Sequence, residues 1–157
     1  MTSAEPTEML NRVLTILRRS FVQYLCWGRP HIRPGRESAM DTIADIAIAQ
    51  DLVADRIAEQ IDESGATPDV GDYPMEFTDT HDLDIDFLIE EAIGYQKQDI
   101  AALEHCVAEL AASPAAQSLA SEALGLSRGH LETLEALKPQ PGASTIIRNG
   151  APARDND

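Results

Sequence analysis

Apolar residues return every three or four positions along four stretches of this chain, the period of helices that each bury one face. In residues 7–27, Leu10, Leu14, Leu17, Phe21 and Tyr24 share a stripe, and Gly28-Arg29-Pro30 stops the pattern. In residues 37–63 the stripe is Ile43, Ala47, Gln50, Ala54, Ile57 and Ile61, ended by Ser64-Gly65. Residues 82–112 place Ile85, Ile89, Ala92, Gln96, Asp99, Leu103, Cys106 and Leu110 at heptad-like spacing. Ser113-Pro114 stops that helix and starts the next, with Ser as N-cap and Pro at the first helical position. Residues 114–138 then carry Leu119, Ala123, Leu126, His130, Leu134 and Leu137.

Between the second and third helices, residues 65–81 contain Pro68, Gly71, Pro74 and several Asp, which favours extended connection over helix. A connection this long can cross from one end of a bundle to the other. The pattern therefore predicts an all-α fold, an antiparallel four-helix bundle made of two helical hairpins joined by a long crossover. Residues 1–142 form the bundle, and residues 143–157, polar apart from Ile146-Ile147, read as a disordered tail. The 157-residue length suits one domain, and 4% aromatic content within 43% hydrophobic residues calls for an aliphatic, helix-on-helix core.

A formal charge of −15 sets the chain against nucleic acid and anionic membranes. The local exception is the loop Arg29 to Arg36, which reads first as a solvated interhelical loop and second as an anion or partner site. Cys26 and Cys106 lie inside helical patterns and read as reduced core thiols. No apolar run approaches a membrane span and the N-terminus lacks a signal-peptide core, so a cytoplasmic location is expected.

Four polar residues interrupt the apolar stripes: Gln50, Gln96, Asp99 and His130. Counting back from the turn at Ser113-Pro114 sets His130 opposite Gln96 and Asp99, and the same count about the first loop sets Gln50 near Leu14 and Leu17. Burying such groups is costly unless they pair, so they are expected to form one polar layer, bonded to each other, to water or to an ion. A self-satisfied layer that fixes helix register is the first reading. A metal held by Asp99 and His130 is the second, with Glu91 as ligand if the phase of the third helix differs.

Leu10-Asn11, Leu14 and Gln23-Tyr24 in the first helix, with Gly129-His130-Leu131-Glu132 and Leu134-Glu135 in the last, resemble signatures of the ferritin-like superfamily of bacterioferritins, rubrerythrins and Dps-like proteins. The resemblance spans about residues 8–138. It implies a ferritin-like bundle whose di-iron centre draws a Glu from helices 1 and 3 and a Glu-x-x-His from helices 2 and 4. Here Leu17 stands at the helix 1 position, helix 4 reads Ser127-x-x-His130, and helix 2 offers Ala47-x-x-Gln50. The resemblance thus implies the fold with a degenerate di-iron site.

Two functions follow as expectations. One is a non-catalytic binding or structural protein, a homodimer or higher homo-oligomer with no cofactor, joined through helices 1 and 2 where Ile48 and Leu52 lie off the core stripe. The other is an iron- or stress-related protein with a single divalent metal ion at Asp99 and His130. A third, weaker reading is a small-ligand pocket lined by Tyr24, Gln50, Gln96 and His130. Ser127 and His130 share a helix face, but nothing supplies an oxyanion hole for hydrolysis.

Overall fold

The computed structural model describes residues 5–28, 30–80 and 83–139. Five α-helices account for most of them: α1 Pro6–Arg18, α2 Phe21–Gly28, α3 Glu37–Glu63, α4 Ile85–Glu109 and α5 Pro114–Ala136. A short 3-10 segment covers Met75–Thr80, and no strand occurs among the described residues. The expected tail, Arg29, His81 and Asp82 lie outside the described residues. No helix among those described is long and apolar enough to cross a membrane.

The expected first helix is two helices. Leu17, Phe21 and Tyr24 keep helical spacing across the junction, yet the chain breaks at Arg19 and Ser20. Ser20 acts as a cap: its Oγ accepts the Gln23 backbone N–H at 3.2 Å, satisfying a donor at the start of α2. The third helix begins at Ile85, later than expected, where the Asp84 carboxylate accepts the Asp86 N–H at 2.9 Å. It ends at Glu109, earlier than expected. Ser113, expected as a side-chain cap, makes no such bond; its carbonyl accepts the Gln117 N–H at 2.8 Å, and Pro114 takes the first helical position.

α4 packs on α5 and α1 on α3, while α3 lies against α5 and not against α4, the next helix in the chain. The connection between α3 and α4 runs along α1 as a strap. Asn11 donates to the Thr67 carbonyl at 3.2 Å and accepts the Asp69 N–H at 2.7 Å, Thr15 donates to the Asp69 carbonyl, and Arg19 Nε donates to the Gly71 carbonyl at 2.8 Å. The Arg19 guanidinium also lies over the Tyr73 ring. At Gly71 the backbone has φ of 70°, and a Cβ there would come within 3.3 Å of Thr15 Cγ2, so both the backbone conformation and the close approach to α1 favour glycine.

The basic loop is tied down. Arg33 pairs with Asp84 at 2.9 Å and with Asp86, and Arg36 pairs with Asp86 at 2.8 Å and donates to the Leu137 carbonyl. Arg33 in turn holds the Asp84 carboxyl below its usual range. Cys106 is fully buried and Cys26 half-buried; both are free thiols that burial pushes up.

Two apolar clusters fill the interior. One joins Leu10, Leu14 and Leu17 of α1 to Ile57 and Ile61 of α3, Leu103 of α4 and Ala120 of α5. The other joins Phe21 and Leu25 of α2 to Ile43 of α3, Phe77 of the strap, Ile89 of α4 and Leu134 of α5. α3, α4 and α5 each pass from one cluster to the other, α1 and α2 meet where the clusters meet, and Ser20, Gln50, Gln96 and Ser127 are the buried polar residues at that level.

Candidate functional site

Four buried polar side chains lie between the two clusters: Ser20, Gln50, Gln96 and Ser127. The Ser20 hydroxyl donates to Gln50 Oε1 at 2.9 Å, and Gln23 Nε2 donates to the same oxygen at 3.2 Å. Gln23 also reaches the Ala47 carbonyl and the Asp51 carboxylate, fastening α2 to α3. Gln96 Nε2 donates to the Ser127 carbonyl at 2.9 Å and fastens α4 to α5. A polar level therefore exists and contains Gln50 and Gln96, as their place on the stripes implied. Its other members are the two serines and not Asp99 and His130.

Register explains the correction. Gln96 meets Ser127 and Gln117 donates to the Val107 carbonyl, which sets His130 level with Ile93 and Asp99 level with Leu124. The two expected metal ligands are thus offset by six residues on α4, about 9 Å along the axis. No hydrogen bond or ion pair joins them, and no group of three or more His, Cys, Asp or Glu positioned for a metal occurs among the described residues. Glu91, the alternative ligand, lies at the surface in a groove beside Tyr95, while Gln96 faces inward.

Nor do the residues at mid-length fit a di-iron centre. Leu17 is 1% exposed in the apolar cluster, Ser127 is buried and carries only a hydroxyl, and the Gln96 amide is committed to a backbone carbonyl. A bridged metal pair needs carboxylates at such positions to offset its charge.

His130 is partly buried, and its Nδ1 is the one buried side-chain nitrogen or oxygen among the described residues with no hydrogen-bond partner. Burial lowers its pKa from the usual histidine value.

Asp99 faces the other way, into a cavity of about 190 Å³ beneath the strap. Thr15, Ile16 and Arg19 of α1 form one wall, Asp72, Pro74, Glu76 and Phe77 of the strap the second, and Tyr95, Gln98 and Asp99 of α4 the floor. Burial alone raises the Asp99 carboxyl to about 7, with no hydrogen bond or neighbouring charge contributing. A second cavity of about 240 Å³ adjoins it, sharing Glu76, Tyr95 and Gln98 and adding Glu90, Glu91 and Gly94.

Aromatic rings border this groove. Of the chain's aromatic residues only Phe87 stands apart from one connected set: Phe77 lies 4.9 Å from Tyr95 and 5.0 Å from Phe21, which leads on to Tyr24, Tyr73 and Trp27. The Tyr95 hydroxyl is held above its usual range by burial first, then by Glu76, Glu91 and Asp79. The expected pocket of Tyr24, Gln50, Gln96 and His130 does not form around those residues, since both glutamines are sealed between helices. What sequence reasoning missed is the groove itself, whose walls come from three elements distant in the chain.

Comparison of the chain with protein-family models, with curated proteins and with solved structures finds no match.

Proposed function

We propose that this chain is a non-catalytic, ferritin-like four-helix bundle whose work is binding, and that it acts as a homodimer. The helix order supports the bundle type. A simple up-down-up-down bundle would set α3 beside α4; packing α3 on α5, with a long strap between the hairpins, is the arrangement of crossover bundles. The reading rests on one observation above others: at the polar level the side chains hold helices together. Gln50 is spent on Ser20 and Gln23, Gln96 on Ser127, and Leu17 closes the remaining corner.

Self-association is supported by Ile48 and Leu52, one turn apart on α3 and 59% and 63% exposed. Apolar side chains so placed lose unfavourable hydration on meeting a second copy. An anaerobic ferrous titration tests the non-catalytic reading: no saturable uptake of two irons per chain and no oxidation above the buffer rate are expected, and either would overturn it.

A further inference from the structure

We propose that the outer face of α3 docks a cationic amphipathic helix of a partner protein, with two aliphatic side chains a turn apart on Ile48 and Leu52 and Lys or Arg on the acids to either side, and that this helix displaces a second copy of the chain. This rests on the reading of Ile48 and Leu52 as an association surface and names the partner that surface fits.

On the side of α3 away from the core, Asp41, Asp45, Ile48, Leu52, Asp55 and Glu59 are all exposed and follow one another at intervals of four, three, four, three and four residues. That is the seam of a two-stranded coiled coil, the period at which a second helix stays in contact along its length. The seam runs about 27 Å, and carboxylates flank its apolar centre at both ends.

The seam is palindromic about residue 50: Ile48 mirrors Leu52, Asp45 mirrors Asp55 and Asp41 mirrors Glu59. Two antiparallel copies related by a two-fold axis at that residue match Ile48 with Leu52 and, by the same symmetry, set Asp45 against Asp55 and Asp41 against Glu59, each twice. A parallel pairing sets each acid against its own copy. The apolar centre therefore accepts a second copy that the flanks repel, which leaves the homodimer open to exchange.

The flanking charges are largely uncompensated. Arg56 is the only cation on α3; it is held by Glu122 of α5 at 2.5 Å and lies beside Glu59. Arg18 of α1 pairs with Asp55, while Asp41, Asp45 and Glu59 make no ion pair among the described residues. A helix with Lys or Arg at the four outer positions turns each repulsion into an attraction and keeps the aliphatic contact. The formal charge of −15 draws the same partner in at long range and turns polyanions away.

The probe that tests this is a synthetic alanine-based helix of about 20 residues that repeats the seam spacing, with Leu at the two central positions and Lys at the four outer ones. One control has Glu in place of the Lys, and another has Ala in place of the Leu. Titrated into the full chain at about 0.15 M salt, the Lys peptide should saturate at one per chain in fluorescence anisotropy and convert the dimer to monomer plus peptide in light scattering. The Glu peptide should not bind, and the Ala peptide should bind about tenfold more weakly. Asp41→Lys with Asp45→Lys and Glu59→Lys, all exposed positions, should reverse the preference to the Glu peptide. Glu109→Lys with Glu132→Lys and Glu135→Lys, an equal change of charge on exposed positions of α4 and α5, should leave the preference as it was. Added salt should weaken the peptide and strengthen the dimer. No saturable binding of the Lys peptide, equal binding of either control, equal loss in the α4 and α5 variant, or a peptide bound with the dimer intact would overturn the proposal. A wild-type chain that is monomeric yet binds the Lys peptide keeps the docking site and overturns only the homodimer reading.

Discussion

The Ser20 hydroxyl donates to Gln50 Oε1 at 2.9 Å while accepting the Gln23 backbone N–H, so one oxygen both caps α2 and satisfies a buried amide on α3. The break between α1 and α2 and the position of α3 are thereby coupled. Ser20→Ala removes the cap and one of the two donors to Gln50, and should lower stability by about 1–2 kcal/mol in urea unfolding. A loss under about 0.5 kcal/mol, the range of ordinary surface substitutions, would show that the cap does not hold the break.

Asp99 carries a pH signature of the opposite sign from an ion-paired carboxylate. Burial raises its pKa from 3.8 to about 7, so the folded chain keeps a proton that the unfolded chain has released. Stability should therefore fall as pH rises between those values and stay low above the upper one. Asp99→Asn removes the penalty and should raise stability at about pH 8 by roughly 2–4 kcal/mol, with little change near pH 4. Destabilisation of the variant at the higher pH would mean that the carboxylate has a cationic partner.

His130 should behave as a poorly satisfied core residue. Its Nδ1 is buried without a partner and its pKa is lowered, so the unfolded chain gains a proton on acidification before the folded one does. Stability is then lost as pH falls below about 6.5. His130→Leu should raise stability by about 1 kcal/mol at neutral pH and by more at lower pH, read from thermal melts. Because Asp99 and His130 are offset along the hairpin, Asp99→Asn and His130→Leu should be additive within about 0.5 kcal/mol. A larger coupling would restore the contact that the register denies.

The exposed pair on α3 gives an oligomerisation test. Wild-type chain should have the mass of a dimer in light scattering, and Ile48→Asp with Leu52→Asp should yield a folded monomer. A wild-type monomer at high concentration would refute the proposed interface.

Much of this fold was legible because its punctuation is strong. Gly65 after α3, Pro114 at the start of α5 and the Pro-Gly-Asp connection all act where they stand in the sequence. The break at Ser20 was hidden because the apolar spacing runs through it, and only a tertiary bond to Gln50 shows what the serine does. The polar level was half legible. Gln50 and Gln96 declared themselves as amides on apolar stripes, but counting from Ser113-Pro114 assumed that α4 reaches the turn. It ends at Glu109, which moves the centre of the hairpin and slips the register by about one turn, exchanging His130 for Ser127. The groove was illegible because Asn11, Thr15 and Arg19 lie off the apolar stripe of α1, and no local pattern tells that the strap lies on them.

The central claim, that the mid-length polar residues hold helices and not metal, is tested most directly by anaerobic titration of the purified chain with ferrous ion followed by oxygen. No saturable uptake and no ferroxidase rate above the buffer blank are expected, since Leu17, Gln96 and Ser127 supply no bridging carboxylate. Stoichiometric binding of two irons per chain with a rapid oxidation phase would contradict it.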